Sequence, residues 1–500
     1  MLSPRSWTVH TDGQPFVLPE PGTLVGAWVA TLSQNPDQPL LHDTTGWVNR
    51  GEFLARTERV AGRLQGMGLK PGDRVVISGP STVDLAVAHV AALRTALVVV
   101  PTNGSYQEPE LAHLVADACP RAALVDHPGW ENTLKSLDPT LLVCPTSVPW
   151  PDHPPQNLDA VAPDSPAFIG YTSGTTGRPK GAVLSQANLL ASVAAVQVAW
   201  QWTAQDRLLL CLPMFHMHGL GVGLHGTLLT GGSAVLQQGF DPDEIFSALD
   251  HHQGTMFFGV PTMYHRLASH SRVADLAQLR LCVSGSAPLA AALNQRLATE
   301  AGVTVLERYG MTETVMLVSN PFDQERRPGA VGFPLPGVDL RLDEASNEIL
   351  VRGPNVFDGY WERPEANQEA FVADPDGDWF RTGDLGAIDQ DGYVSIVGRA
   401  KELIISGGFN VYPREVDDAL AEHPAIAEVA AAGVLSEEWG EEVVAWVVLA
   451  EGATAPSIDE VRAFARETLA AYKLPRRIQV VKSLPRNALG KVMRHELRED

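Results

Sequence analysis

The sequence predicts an α/β protein: a large N-terminal domain of parallel-rich sheets with helices and a small β subdomain, then a small α+β C-terminal domain. Two observations predict it. Over residues 20–150 apolar strand-like runs alternate with amphipathic helical stretches, the rhythm of parallel sheet with crossover helices. From about residue 340 the pattern changes to short strands and turns, and after Lys401 a compact mixture of helix and strand follows. The expected domains are 1–399, with 340–399 as its β-rich part, and 400–500, with a hinge at Arg399-Ala400-Lys401.

Taken in order, residues 53–61 have helical spacing, 74–78 read as a strand, 83–93 as a helix and 97–101 as a strand. Residues 140–165, rich in proline and aspartate, read as a loop leading into the apolar run Ala167-Phe168-Ile169-Gly170-Tyr171. A helix over 188–200 follows. Three strand-like runs, 208–213, 256–261 and 281–285, then each end at a turn with polar residues. Ligands of open α/β sheets sit beyond the carboxyl ends of strands, so those turns are site candidates. Later strands are expected at 348–353, 392–398, 426–429 and 443–449, with helices at 413–422 and 457–471.

Hydrophobic content of 45% and charged content of 19% describe a globular chain able to bury a core, and 500 residues are too many for one core. A formal charge of −22, from 59 acidic against 37 basic side chains, argues against nucleic acid or an anionic membrane as partner. Cys119, Cys144, Cys211 and Cys282 are far apart with no CxxC pair, which suggests small buried residues in a reducing compartment. The N-terminus lacks the apolar segment of a secretory signal, so the default location is cytoplasmic. Residues 208–240 carry no Asp, Glu, Lys or Arg, but Pro213, His216, His218, His225 and several glycines make buried core beside a pocket a better reading than a membrane span. Monomer and homodimer both remain open.

The ten residues after Tyr171 hold four hydroxyls, three glycines, Arg178 and Lys180. Such a loop can wrap phosphate: glycine lets N–H groups approach an oxyanion, hydroxyls donate further bonds and lysine adds charge. It is not a Walker A loop, because Pro179 precedes Lys180 and Gly181 follows it.

Four more clusters follow: Glu307-Arg308-Tyr309-Gly310-Met311-Thr312-Glu313-Thr314; Trp379-Phe380-Arg381-Thr382-Gly383-Asp384; a long one over 398–415 containing Arg399, Lys401, Gly407 and Gly408; and Leu484-Pro485-Arg486-Asn487-Ala488-Leu489-Gly490-Lys491. In this order and spacing, with 171–181, they resemble the adenylate-forming family of acyl-CoA synthetases, luciferases and peptide-synthetase adenylation domains, over about residue 20 to the end. The resemblance implies ATP, Mg²⁺ and coenzyme A as cofactors and a small carboxylate as substrate. A carboxylate is a poor electrophile; attack on the α-phosphorus of ATP activates it as an acyl adenylate, and cations and N–H donors must meet the developing phosphoryl charge.

By the resemblance, Thr172, Ser173, Gly174, Thr175, Thr176, Gly177 and Lys180 hold the β- and γ-phosphates, Thr312 contacts the α-phosphate and Glu313 ligates Mg²⁺. Ser286, Ala287, Pro288, Glu307, Gly310 and Met311 border the nucleotide, Tyr309 stacks on adenine, and Asp384 and Arg399 hold the ribose. Lys491 matches the catalytic lysine of the C-terminal domain. That domain swings about Lys401 and brings Gly407 and Gly408 to line the pantetheine tunnel.

For the acid, most relatives taking aromatic or fatty acids have glycine where this chain has Arg308, and Arg266 follows Val260-Pro261-Thr262-Met263-Tyr264-His265 in another expected pocket wall. Arginine beside a hydrocarbon chain is costly, but its fork suits a second carboxylate. These stretches, with Ser284-Gly285-Ser286-Ala287-Pro288, closely resemble malonyl-CoA synthetases, so malonate is the expected acid, with methylmalonate next, and His216 and Ser284 border it. The plainer alternatives are an ion pair between Arg308 and Glu307, an outward-facing Arg266 on an amphipathic helix and a packed core His216. Rival functions are a synthetase for another short acid, an adenylation enzyme loading a separate carrier protein, a luciferase-like enzyme and a regulatory nucleotide binder with a dead site.

Overall fold

The computed structural model describes residues 16–172, 179–406, 409–436, 438–487 and 490–497. The chain divides into two compact units: one of residues 1–340 and 351–380, the other of residues 341–350 and 381–500. Both are α/β in character.

The first unit holds two large sheets. In one, six parallel strands run in the spatial order Leu306–Tyr309, Leu281–Ser284, Met256–Gly259, Arg207–Leu210, Ser233–Leu236 and Pro39–Asp43, with short antiparallel strands at both edges. The other contains Val98–Pro101, Arg74–Ser78 and Ala122–Val125 in parallel, and the antiparallel hairpin of Pro166–Thr172 and Lys180–Ser185. The expected helices appear as Arg50–Gly66, Val83–Arg94 and Gln186–Ala199. The last starts two residues earlier than its periodicity suggests, because Ser185 and Asn188 form a reciprocal capping box.

The register of the first sheet is pinned at its amino-terminal edge. Asp206, Thr255 and Arg280 each precede one of three neighbouring strands, and the buried Asp206 carboxylate accepts from Thr255 Oγ1 at 3.0 Å, Arg280 Nε at 2.5 Å and Arg280 Nη2 at 2.7 Å. Their opposite, carboxyl ends are thereby level with one another. Helices Pro242–His252, Pro261–Ala268 and Ala291–Ala301 cover one face through Ile245, Phe246, Tyr264, Leu267 and Leu297.

The charge-free stretch 208–240 is buried and includes a π-helix, His218–Leu224, running into helix His225–Thr230. Among the described residues no helix is long and apolar enough to cross a membrane. Cys211 and Cys282 are buried as expected, but Cys119 is exposed and Cys144 only half-buried. Cys119 ends helix Glu108–Ala118 in a left-handed conformation that turns it out of the core.

Between residues 339 and 399 lies a five-stranded sheet, as the short strands there predict, but residues 341–350 and 381–399 fall in the second unit and not with the first, where the expected boundary at 399 puts them. The second unit closes with Phe409–Val411, Ile404–Ser406, Gly440–Leu449, Ile426–Ser436 and Arg477–Val480 in a sheet covered by helices Pro413–Ala421 and Ile458–Ala465. Its long strands exceed their expected bounds, whereas the helix expected over 457–471 stops at Ala465, with only a 3₁₀ turn at Ala471–Lys473.

Burial alone would raise the Asp206 carboxyl, but Arg280, the Thr203 amide and Thr255 hold it below the usual carboxylate range. A folded value below the unfolded one stabilises at neutral pH, and the contribution is lost as pH falls through the folded value. Asp206→Asn is therefore expected to destabilise by about 2 kcal/mol at pH 7. The deficit should shrink in denaturant titrations below the normal carboxylate range.

Candidate active site

The glycine-rich loop spans the turn of the Pro166–Thr172 and Lys180–Ser185 hairpin, in which Thr172 pairs with Lys180. Ser173, Gly174, Thr175, Thr176 and Gly177 lie outside the described residues, as do Gly407 and Gly408. The Lys180 ammonium sits 5.2 Å over the ring of Tyr360, whose hydroxyl donates to Glu313 Oε1 at 3.0 Å. Tyr360 reaches this place because its strand Gly359–Tyr360 pairs with Lys180–Ser185. It links the lysine and the carboxylate, and nothing in its own sequence neighbourhood signals that role.

The 309–316 turn is packed against the same hairpin. Thr312 lies so close to Gly170 that a Cβ there would overlap its Cγ2. A Cβ on Gly310 would lie 2.8 Å from Met316 Cα and closer still to Val315 O, so only glycine lets the turn close. Asn355 Nδ2 donates to Thr314 O at 3.1 Å and Met316 O at 2.8 Å, and the Phe357 amide donates to Glu313 O at 2.9 Å. Val315 is held at φ +57°, a strained conformation for a β-branched residue. Glu313 is buried, at 4% exposure. A single acceptor-only carboxylate at this turn, close to lysine and hydroxyl donors, fits Mg²⁺, which keeps several waters and phosphate oxygens as its other ligands.

The adjacent strand ends carry a second cluster. Arg308 is 7% exposed, and its Nε and Nη2 have no hydrogen-bond partner among the described residues. Desolvation pushes its pKa down to about 9. No carboxylate among the described residues pairs with it. Glu307 points to the other side of the strand, where its carboxylate accepts the amides of Leu289 at 3.3 Å and Gly329 at 3.0 Å. The side chain of Glu307 thus braces two loops, which corrects its expected place at the nucleotide.

His218, which feels the Arg308 charge, has both ring nitrogens buried without partners among the described residues, and so, elsewhere on these turns, are Ser284 Oγ at the end of its strand and Ser286 Oγ in the next turn. Ser286 adopts a left-handed φ of +68°. His216 is half-buried, and burial together with the Arg308 charge pushes its pKa down to about 4; its Nδ1 accepts the His218 amide at 3.2 Å. His218 feels the same two influences and stacks on Phe258, ring centroids 6.1 Å apart. The Met-Phe-His-Met-His spacing could have marked His218 beside His216.

Arg266 is a correction. Its helix buries Tyr264, whose hydroxyl donates to Val283 O at 2.9 Å, and Leu267, so Arg266 faces outward with its guanidinium 4.9 Å over Phe240. Ala287 is half-buried and Pro288 exposed on the turn after Ser284, while Tyr309, Gly310 and Met311 are half-buried.

In the second unit, Asp384 and Arg399 face each other across neighbouring antiparallel strands, Nε to Oδ1 at 3.1 Å. Lys491 lies near both: desolvation and Arg399 lower its pKa, with Asp384 opposing. Its backbone is fixed by Asn487, whose Oδ1 accepts the Lys491 amide at 3.0 Å while its own amide donates to Lys491 O at 2.9 Å. Leu484 and Val492 anchor this stretch on the sheet beside Trp446. Lys401 is exposed in a 3₁₀ turn directly after Arg399. Among the described residues no group of three His, Cys, Asp or Glu side chains could hold a metal by itself.

Comparison with known proteins agrees with this layout. Residues 28–361 match the AMP-binding enzyme family and residues 415–491 the AMP-binding enzyme C-terminal domain. A feruloyl-CoA synthase from Amycolatopsis sp is 36% identical, over 95% of this chain and 98% of its own. A malonate–CoA ligase from Arabidopsis thaliana is 32% identical, over 87% and 79% respectively. The crystal structure of ATP-bound MatB from Rhodopseudomonas palustris superposes with a TM-score of 0.89 at 36% identity, covering 94% of this chain and 97% of that one. The fold and these clusters define an adenylate-forming acyl-CoA ligase. The chain belongs to the AMP-binding enzyme family.

An unpaired buried charge is destabilising, and replacing buried ionic groups by apolar ones of similar volume often stabilises by about 1–4 kcal/mol. Arg308→Met should accordingly raise the melting temperature of the ligand-free protein, as read by calorimetry, whatever it does to activity.

Proposed function

We propose that this enzyme couples a small dicarboxylate, malonate first and methylmalonate next, to coenzyme A at the expense of ATP, through an acyl adenylate. The observation that carries the reading is the buried Arg308 guanidinium, whose Nε and Nη2 have no partner among the described residues, with the orphaned ring nitrogens of His218 close enough to feel its charge. Native proteins rarely leave such groups unsatisfied, so a polar ligand with at least one negative charge is the natural complement. A feruloyl-CoA synthase and a malonate–CoA ligase are comparably similar overall, and among similar structures MatB, a malonyl-CoA synthetase, stands beside an o-succinylbenzoate CoA synthetase with a TM-score of 0.85. Local pocket chemistry therefore has to decide the acid.

In this reading the distal carboxylate is held by Arg308 in a charge-assisted fork, with Ser284 donating and neutral His216 and His218 offering N–H groups. The proximal carboxylate oxygen attacks the α-phosphorus, the bond from that phosphorus to the bridging oxygen breaks, and pyrophosphate leaves. Thr312 steadies the α-phosphate, the 172–180 loop with Lys180 carries the β- and γ-phosphates, and Tyr360 orients Glu313. Mg²⁺ at Glu313 would neutralise charge on the phosphate oxygens. Asp384 and Arg399 hold the ribose, and Lys491 supplies the cation for adenylation. In the second step the thiol of CoA attacks the acyl carbon and AMP leaves. The expected hinge at Lys401 and the pantetheine role of Gly407 and Gly408 belong to the same proposal.

A panel of mono- and dicarboxylic acids assayed for CoA-dependent AMP release tests this directly. Malonate should give the highest kcat/KM, with methylmalonate within about one to two orders of magnitude, since one methyl group changes binding by about 1–3 kcal/mol. Arg308→Gly should abolish malonate turnover while leaving the affinity for ATP within about threefold; preference for acetate over malonate in the wild type would refute the proposal. Tyr360→Phe should raise the KM for MgATP roughly tenfold, the loss expected for one hydrogen bond to a charged group, with the acid preference unchanged.

A further inference from the structure

Gly285 follows the strand Leu281–Ser284, and because Ser284 registers with Glu307 in the parallel neighbour, Gly285 comes level with Arg308. A Cβ on Gly285 would lie 2.7 Å from Arg308 Nη2 and closer still to Cζ and Nε; its three nearest neighbours would all be atoms of that guanidinium. The arginine fork therefore lies broadside against bare backbone. Gly285 is not among the glycines held at positive φ, so a left-handed backbone is not what requires glycine there. The reason for glycine here is space, and the occupant of that space is Arg308.

We propose that Gly285 is a specificity-determining positioning residue: its missing side chain forms the shelf that sets the Arg308 guanidinium where it grips the distal carboxylate. This rests on the dicarboxylate reading above. A methyl group on Gly285 displaces the fork, because the arginine is enclosed and its stem starts from a strand whose register is fixed on both sides, by Leu281–Ser284 and by Val318–Ser319. The displaced guanidinium no longer meets the second carboxylate, and the discrimination between malonate and a monocarboxylate of the same size falls.

The test is a double-mutant cycle with Gly285→Ala, Arg308→Gly and the double variant, read in two ways: the melting temperature, and KM and kcat for malonate and propionate, with the dissociation constant for ATP as a check on the fold. Gly285→Ala alone should raise the KM for malonate at least about tenfold, the order of coupling seen between residues in direct contact, with kcat and ATP affinity changed less than about twofold. It should also lower the melting temperature. With Arg308 already removed, the same alanine should change neither the melting temperature nor propionate turnover, because nothing remains to clash with it. Equal effects in both backgrounds would overturn the proposal, since Gly285 would then serve only the strand end. Full malonate turnover by Arg308→Gly would instead remove the dicarboxylate reading, whatever the cycle shows.

Discussion

A positive charge buried at a strand end, with no partner for its Nε and Nη2 among the described residues, is the constraint around which this molecule is arranged. Taking a guanidinium out of water is expensive, and among the described residues no carboxylate neutralises this one, which is only 7% exposed. Its neighbours are consistent with an incoming anion. The two adjacent histidines are held neutral by burial and by Arg308 itself, so they add hydrogen-bond capacity without adding charge. Glu307, the one acid next to it in sequence, is turned away by strand alternation and occupied by two amides. In the proposed reading, folding stability is given up locally for a site that the substrate completes.

The rest of the first unit holds that charge in place. Asp206, Thr255 and Arg280 tie the amino ends of three parallel strands, and the carboxyl ends of two of them, with that of the neighbouring Leu306–Tyr309, bear Phe258, Ser284 and Arg308. A few residues further on, the 309–316 turn folds onto the hairpin that carries Lys180, with Gly170 and Gly310 permitting the approach. Cation, hydroxyl and carboxylate are thus held together in the protein itself, and under the proposed function this is the preorganisation that stabilises charge developing in a phosphoryl-transfer transition state. In the second unit Lys491 shares its surroundings with an Asp384–Arg399 pair, and desolvation there weakens its hold on its proton.

Much of this was legible in the sequence because it is local. Strands 74–78 and 98–101, the helix between them and the motif turns follow from apolar periodicity and from glycine and proline placement. The identity of Arg308 as the unusual residue needed only the resemblance. What periodicity could not give was direction: Arg266 and Arg308 look alike as arginines near a pocket wall, yet one sits on the outer face of a helix that anchors through Tyr264 and the other on the inner face of a strand. Tyr360 was invisible for a different reason. Its role comes from pairing with a strand about 180 residues earlier in the chain, and no local pattern encodes a contact of that range.

The central claim is that two negative charges on the acid are recognised, one reacting and one gripped. Isothermal titration of the wild-type enzyme, saturated with a non-hydrolysable ATP analogue, with malonate and with its monomethyl ester would isolate the second charge at nearly constant shape. The account predicts that malonate binds and that the half-ester binds at least about thirtyfold more weakly, the difference of roughly 2 kcal/mol expected when a charge-assisted pair is lost. Equal affinities for the two would contradict it.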